Sequence, residues 1–428
     1  MQLHCGAGKA CITPDRESLP YMSGLGKAKF GTIHDELYVR ALLFDNQITR
    51  MLFISFDLDK APDPEKYIKL LAERAQIPEE NILIIGIHTH TAPLTGYRPY
   101  PPAHDITKKP KEVQKVVKEY EDQIKEKVLE AVDQAVKELR PVRMGGGFGS
   151  SYINANRCQR YEYLDGKGRK RNEMAVGSNG IGPVDHKVFV AKFEDMQGKE
   201  VAFFINYAVH GTVMFLNNWG NGLSAISGDI GGNTSQCIEE LYPGSVAMWS
   251  SGAAGDICPI FATQMFYPDE KNGKPIEQRI QTLQDSEILL NILVGRHTAD
   301  IRSVIETIIC EETNMDIAAA VDVQDGIRLH LMLLGNTGFL GVNGELYSSL
   351  GSKICESVPI KNMVVVNHDS SLSLPNPGYI YDDNTIQRCK EADVNHLPGA
   401  SDIQRLGRGT DLVKRTKDLY SYILSHYE

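Results

Sequence analysis

Two rhythms of apolar and polar residues run along this chain. From Lys111 to Leu139, Val113, Val116, Val117, Tyr120, Ile124, Val128, Val132, Val136 and Leu139 recur at three- and four-residue steps with charges between them. That spacing predicts a helix with one buried face, stopped by Pro141. Helical spacing also marks Asp63 to Ala75, opened by Pro-Asp-Pro-Glu from Pro62, and Asn233 to Leu241, stopped by Pro243-Gly244. Further helices are predicted over Arg279 to Cys310, with Gly295 as a point of interruption, over Leu346 to Glu356, and over Asp411 to His426. Short apolar or β-branched runs predict strands at Arg50 to Leu58, Val246 to Ser251 and Met363 to Asn367. Asn81 to Ile87 reads as a strand buried on both faces. Lys187 to Phe193 and Glu200 to Val209 read as a pair turned at Gln197-Gly198, and Met315 to Val323, Ile327 to Leu334 and Gly338 to Val342 as three more strands.

Strands and helices interleave throughout, so the fold class expected is α/β with mixed α+β elements. No linker, repeat or low-complexity segment divides the chain, which predicts a single domain over residues 1–428. The basic segment Gly166 to Arg171 reads as a solvated loop.

Composition narrows the function. The chain has 428 residues, 42% hydrophobic and 23% charged, which excludes a largely disordered protein. Lys and Arg number 45 and Asp and Glu 55, giving a net charge of 45 − 55 = −10. That balance argues against nucleic acid as a partner and against attraction to an anionic membrane. No apolar stretch reaches the roughly 18 residues of a membrane span. Met1 to Lys9 shows no basic segment followed by an apolar one, so a cytoplasmic location is expected. The eight cysteines form no CxxC pair and are expected to be free thiols. The assembly state, monomer or homo-oligomer, is left open.

Six short segments carry candidate chemistry. His88-Thr89-His90 follows the strand at 81–87 and puts two imidazoles on one face of an extended chain. His210 likewise ends a strand. Ser227-Gly228-Asp229-Ile230-Gly231-Gly232 precedes a helix and offers N–H groups to an anion. Gly252-Ala253-Ala254-Gly255-Asp256-Ile257-Cys258-Pro259 permits close backbone approach to a ligand. Asn343-Gly344-Glu345 places a carboxylate at a strand end, and Gly378-Tyr379-Ile380-Tyr381 offers a phenol. Each has a plainer alternative: a satisfied core histidine, a tight turn, a capping Glu, a packed Tyr pair. Several share a polar residue directly after an apolar strand, which suggests one pocket at one sheet edge.

The order of these motifs resembles the catalytic domain of the neutral/alkaline, non-lysosomal ceramidases. Gly6-Ala7-Gly8-Lys9-Ala10 with Ile12-Thr13-Pro14, then Ile33 to Leu42, open the likeness. His88-Thr89-His90-Thr91-Ala92-Pro93 is similar to the family's HTHSGP-type element. Asn206 to Thr212, Gly252 to Pro259, Gly344-Glu345 and Gly378-Tyr379 follow in the family's order. The resemblance implies one Zn2+ held by His88, His210, Glu345 and Tyr379. It implies a zinc-activated water, with His90 beside the metal or acting on the leaving group and Tyr379 able to serve catalysis as well. Asp229 and Asp256 become candidates for orienting an imidazole, a water or substrate, and Asn156-Arg157 resembles an element near the substrate. Cys258 stands where the family has a reactive serine.

The activity expected is zinc-dependent hydrolysis of an amide (N-acyl) bond, a carbon–nitrogen bond other than a peptide bond. The expected substrate is a small soluble molecule rather than long-chain ceramide, since neither a secretion signal nor the family's C-terminal immunoglobulin-like domain is read in the chain. The alternatives are a zinc hydrolase of a lactone or phosphoester, for which the Gly-rich run would suit an anion, and a non-catalytic ligand-binding module.

Overall fold

Alternation along the central strands explains the architecture. In Tyr38–Asp45, Val39, Ala41 and Leu43 enter one core while Leu42 and Phe44 enter another. In Ile82–Gly86, Ile82 and Ile84 divide from Leu83 and Ile85 in the same way. Such strands need an apolar layer on each side. The computed structural model, which describes residues 2–18, 21–22, 29–62, 64–95, 106–218, 220, 222–312, 315–369, 377–391 and 406–427, provides both layers.

An eight-stranded sheet runs in the order Val246–Ser251, Glu200–Tyr207, Lys187–Asp195, Arg140–Ser150, His4–Cys11, Tyr38–Asp45, Arg50–Phe56, Ile82–Gly86. A four-stranded sheet, Ile317–Gln324, Ile327–Leu334, Thr337–Val342, Asn362–Asn367, lies against one face of it. The core between them holds Phe44, Phe53, Leu83 and Phe204 from the first sheet and Met332, Phe339 and Val364 from the second. Helices cover the outer faces. Lys111–Lys137 and Pro64–Ala75 pack on one half of the large sheet, Asp229–Leu241 and Leu283–Ile305 on the other. Ser348–Glu356 and Arg408–Tyr427 cover the small sheet.

Within these two sheets three strand pairs are parallel, and a helix joins each: Arg50–Phe56 with Ile82–Gly86, Glu200–Tyr207 with Val246–Ser251, and Thr337–Val342 with Asn362–Asn367. Parallel neighbours require such a crossover. The carboxyl ends of strands in units like these are where α/β sheets gather ligands.

The structure departs from the sequence reading in several places. Strands form at His4–Cys11, Tyr38–Asp45 and Arg140–Ser150, and a long hairpin pairs Asn154–Leu164 with Lys170–Asn179. Pro141 does not abut the helix, which ends at Lys137; it pairs with His4 across two strands. Gly295 interrupts nothing, since the helix Leu283–Ile305 runs through it with open space around its Cα. Arg279 belongs to a strand, not to that helix. The helix read from Asn233 begins at Asp229, because Gly231 and Gly232 let Trp249 and the Asp57 carboxylate approach its backbone. Asp63, the expected start of an earlier helix, lies outside the described residues. The Gly166–Arg171 segment is the hairpin tip, and its Arg169 and Arg171 both turn back onto Asp165. The side chains of seven cysteines are described, and all seven are free thiols. Among the described residues no helix is long and apolar enough to cross a membrane.

Glycine in His4–Cys11 has a steric cause. A Cβ on Gly8 would lie 1.9 Å from the Ala131 carbonyl oxygen in Lys111–Lys137. The strand thus meets the helix backbone to backbone, and contact closer than van der Waals distance forces a shift. Gly8→Ala is expected to cost about 1–3 kcal/mol of stability. A urea-unfolding midpoint equal to that of the wild type would contradict this.

Candidate active site

Residues just beyond the parallel strands meet at one point. His88 and His90 follow Ile82–Gly86, and His210 follows Glu200–Tyr207. Glu345 follows Thr337–Val342, and His368 follows Asn362–Asn367. The backbone bends sharply to deliver them: His88 has φ 62° and His368 φ 64°. A left-handed conformation at residues other than glycine costs of order 1–3 kcal/mol and gathers at functional sites.

Two of the imidazoles, those of His88 and His210, are oriented by a second group. His88 Nδ1 lies 2.7 Å from Asp59 Oδ1, and His210 Nδ1 lies 2.9 Å from the Ile257 carbonyl oxygen. Both partners are acceptors, so both Nδ1 atoms carry the proton and both Nε2 lone pairs face inward. There His210 Nε2 is 3.3 Å and His88 Nε2 3.6 Å from Glu345 Oε2. His90 Nε2 lies 3.1 Å from His88 Nε2. Burial, and then the charge of Arg157, push His210 down to about 4, so its imidazole is neutral at pH 7. Burial and the neighbouring imidazoles of His88 and His210 likewise hold His90 well below its ordinary value. Burial alone would raise the Glu345 carboxyl, but His88, His210 and His368 outweigh it and hold it well below the usual carboxylate range.

The donor set fits a cation. His210 Nε2 and Glu345 Oε2 are buried and without a hydrogen-bond partner, although they face each other. Zinc bonds of about 2.0–2.1 Å in a tetrahedron place donor atoms roughly 3.3–3.4 Å apart. The spacings around Glu345 Oε2 are of that size. The donor atoms of His88, His90 and His210 lie within 4.8 Å of one another, as do those of His88, Glu345 and His368.

Tyr379 pairs in register with Glu345 between two short parallel strands. Its hydroxyl interacts with both Glu345 and Arg157. Burial, only partly offset by Arg157, raises this phenol above its ordinary value. Arg157 is buried, donates through Nε and Nη2 to the Gly255 carbonyl at 3.2 and 2.6 Å, and carries its guanidinium 5.1 Å from the Tyr379 ring centre. Asp256 sits behind this pair. Its oxygens accept from Asn156 Nδ2 at 2.8 Å and from the Ser348 backbone N–H at 2.7 Å, and its carbonyl accepts from the Arg157 N–H at 2.8 Å. It therefore holds Asn156 and Arg157, and no imidazole. Burial, eased by Ser348, raises its carboxyl to about 6.

Asp229 lies apart from the imidazoles. Its oxygens accept backbone N–H groups of Val213, Met214 and Ile230, which secures the loop after His210. The Gly-rich helix start is occupied by the protein's own anions, since Gly228 N–H donates to Asp35 at 2.7 Å. Cys258 is buried, its Sγ faces the Gly177 carbonyl at 3.8 Å, and burial pushes its thiol up to about 12.

The sequence matches the family model for neutral/alkaline non-lysosomal ceramidase, N-terminal, over residues 4–278. The chain belongs to this family. Its members hydrolyse an amide bond. No curated protein matches the chain at the sequence level. Among solved structures, the fold is similar to the neutral ceramidase from Pseudomonas aeruginosa, with a TM-score of 0.67 at 15% identity, covering 98% of this chain and 74% of that one. A ceramidase complexed with C2 gives a TM-score of 0.66 at 14% identity, covering 98% and 75%. The mixed α/β class expected for the family is the one observed.

The structure thus brings together His88, His90, His210, Glu345, Tyr379 and Arg157. It adds two residues that the sequence reading did not single out. Asp59 sits at the end of the run RMLFISFDLD, where alternating acids signal a strand end but not a target. His368 lies in Asn367-His368-Asp369, one more polar group just beyond an apolar strand. Asp59→Asn removes the charge that fixes the His88 tautomer, and such partners typically carry roughly 10–100-fold in metal affinity or activity. Zinc affinity of the folded variant, measured by equilibrium dialysis, is expected to fall by that factor; an unchanged affinity would contradict the role.

Proposed function

We propose that this chain is a zinc-dependent amidohydrolase that cleaves an N-acyl bond in a small substrate. The observation that carries the reading is the buried, partnerless pair His210 Nε2 and Glu345 Oε2 at 3.3 Å, with His88 Nε2 at 3.6 Å. His88, His210, Glu345 and Tyr379 would hold the ion. Zinc, when bound, supplies Lewis acidity and makes water more acidic at neutral pH.

The chain's own residues divide the remaining work. Asp59 and the Ile257 carbonyl keep the protons of His88 and His210 on Nδ1. His90, neutral and beside the centre, is placed to take a proton and deliver it to the leaving amine. Arg157, held by Gly255 and by the Asp256 backbone, turns a buried positive charge toward Tyr379. Together they stabilise negative charge developing on the scissile carbonyl oxygen. Asn156 and Asp256 set the position of Arg157. Cys258 lines the site as a small protonated side chain, since the thiolate is the nucleophilic form and burial opposes it. The occupied helix start at Gly228 leaves the phosphoester alternative without its anion cradle.

The test is a panel of N-acyl compounds, from short soluble amides to ceramide in vesicles, run alongside elemental analysis. His210→Ala is expected to lose zinc and activity together. Cys258→Ala is expected to stay within about tenfold, roughly 1.4 kcal/mol in barrier. A zinc-free wild type that hydrolyses amides, or an acyl group trapped on Cys258, would overturn the reading.

A further inference from the structure

His368 has no role in the reading above, yet it is built into the same centre. It is buried, and its ring stacks on His88 with centroids 3.8 Å apart and planes 13° apart. It is pinned on both sides. Asn367 accepts the Leu346 N–H at 3.3 Å, the Asp369 N–H donates to the Val342 carbonyl at 2.9 Å, and Asp369 pairs with buried Arg328 at 2.8 Å. The donor atoms of His368, His88 and Glu345 lie within 4.8 Å of one another.

The stacking geometry decides what His368 can bind. An imidazole holds a metal along its nitrogen lone pair, in the plane of the ring. Two nearly parallel rings 3.8 Å apart cannot both point in plane at one ion. An ion held by His88 lies off the His368 plane by most of that separation. His368 is thereby excluded as a further ligand of the first ion. We propose that His368 and Glu345 form a second divalent-cation position beside the first, with Glu345 bridging the two through its separate oxygens. This rests on the zinc reading of the first position.

The separation fits. One ion in each ring plane puts the pair close to the 3.8 Å stacking distance, and paired hydrolytic metals stand about 3.5–4 Å apart. The number of ligands sets an order of affinity. His88, His210, Glu345 and Tyr379 would hold the first ion, whereas only His368 and Glu345 would hold the second. The second position is therefore the weaker one.

Chelator-stripped full-length chain, dialysed against graded zinc and assayed by elemental analysis, tests this. The expected result is a tight ion followed by a weaker one, with a plateau of two per chain. His368→Asn, whose side chain tolerates the positive φ at this residue, should lose only the weaker ion. A wild-type plateau of one, or two ions with unchanged affinities in His368→Asn, overturns the second position while leaving the first intact. No zinc binding at all sinks both. Independently of any variant, wild type loaded with two Mn2+ should give the EPR spectrum of a coupled pair, and an uncoupled six-line signal would overturn the proposal.

Discussion

A carboxylate buried among imidazoles is the constraint on which this structure turns. Removing the Glu345 charge from water costs several kcal/mol unless compensating charge stands close by. The fold gathers cation-binding groups around it from chain segments far apart in sequence: His88 from the large sheet's edge strand, His210 from near its opposite edge, and His368 and Tyr379 alongside Glu345 itself. These groups can meet only if both sheets present strand ends at one level. The three parallel strand pairs, each closed by a helix, do this.

Behind the imidazoles, uncharged and charged supports make the arrangement rigid. Thr89 and Thr91 both donate to the Ser227 carbonyl, at 2.9 and 3.0 Å, which ties the histidine loop to the start of the helix Asp229–Leu241. A backbone bridge between Thr89 and Gly211 joins the two histidine segments directly. That helix is in turn locked to the sheet by Arg40, fully buried between Asp57 and Glu239 at 2.9 and 2.8 Å. Breaking one partner of such a buried set costs about 3–5 kcal/mol. The histidine loop and the large sheet are therefore anchored to the same helix.

Much of this was legible in the residues, for physical reasons that differ by element. Lys111–Lys137 and Ile82–Gly86 declare themselves because burial alone determines their patterns. His4–Cys11 and Arg140–Ser150 do not, since glycine appears there for close backbone packing, and glycine carries no strand signal. Tyr38–Asp45 hides its apolar run behind Arg40, whose charge is neutralised only in three dimensions. At the site, motif order joins His88, His210, Glu345 and Tyr379, and the structure places them side by side. Asp59 and His368 were missed because a single polar residue after a strand says nothing of what it faces. Asp229 and Asp256 illustrate the converse: both are buried acids, but backbone N–H groups and Asn156 occupy them.

The central claim is that the inward-facing atoms His88 Nε2, His210 Nε2 and Glu345 Oε2 bind a catalytic cation. Anomalous X-ray diffraction at the zinc edge, on crystals of the full chain grown with zinc, tests it most directly. The account predicts that the strongest anomalous peak lies between these three atoms. A peak held by other residues, or none at this point in zinc-saturated crystals, would contradict it.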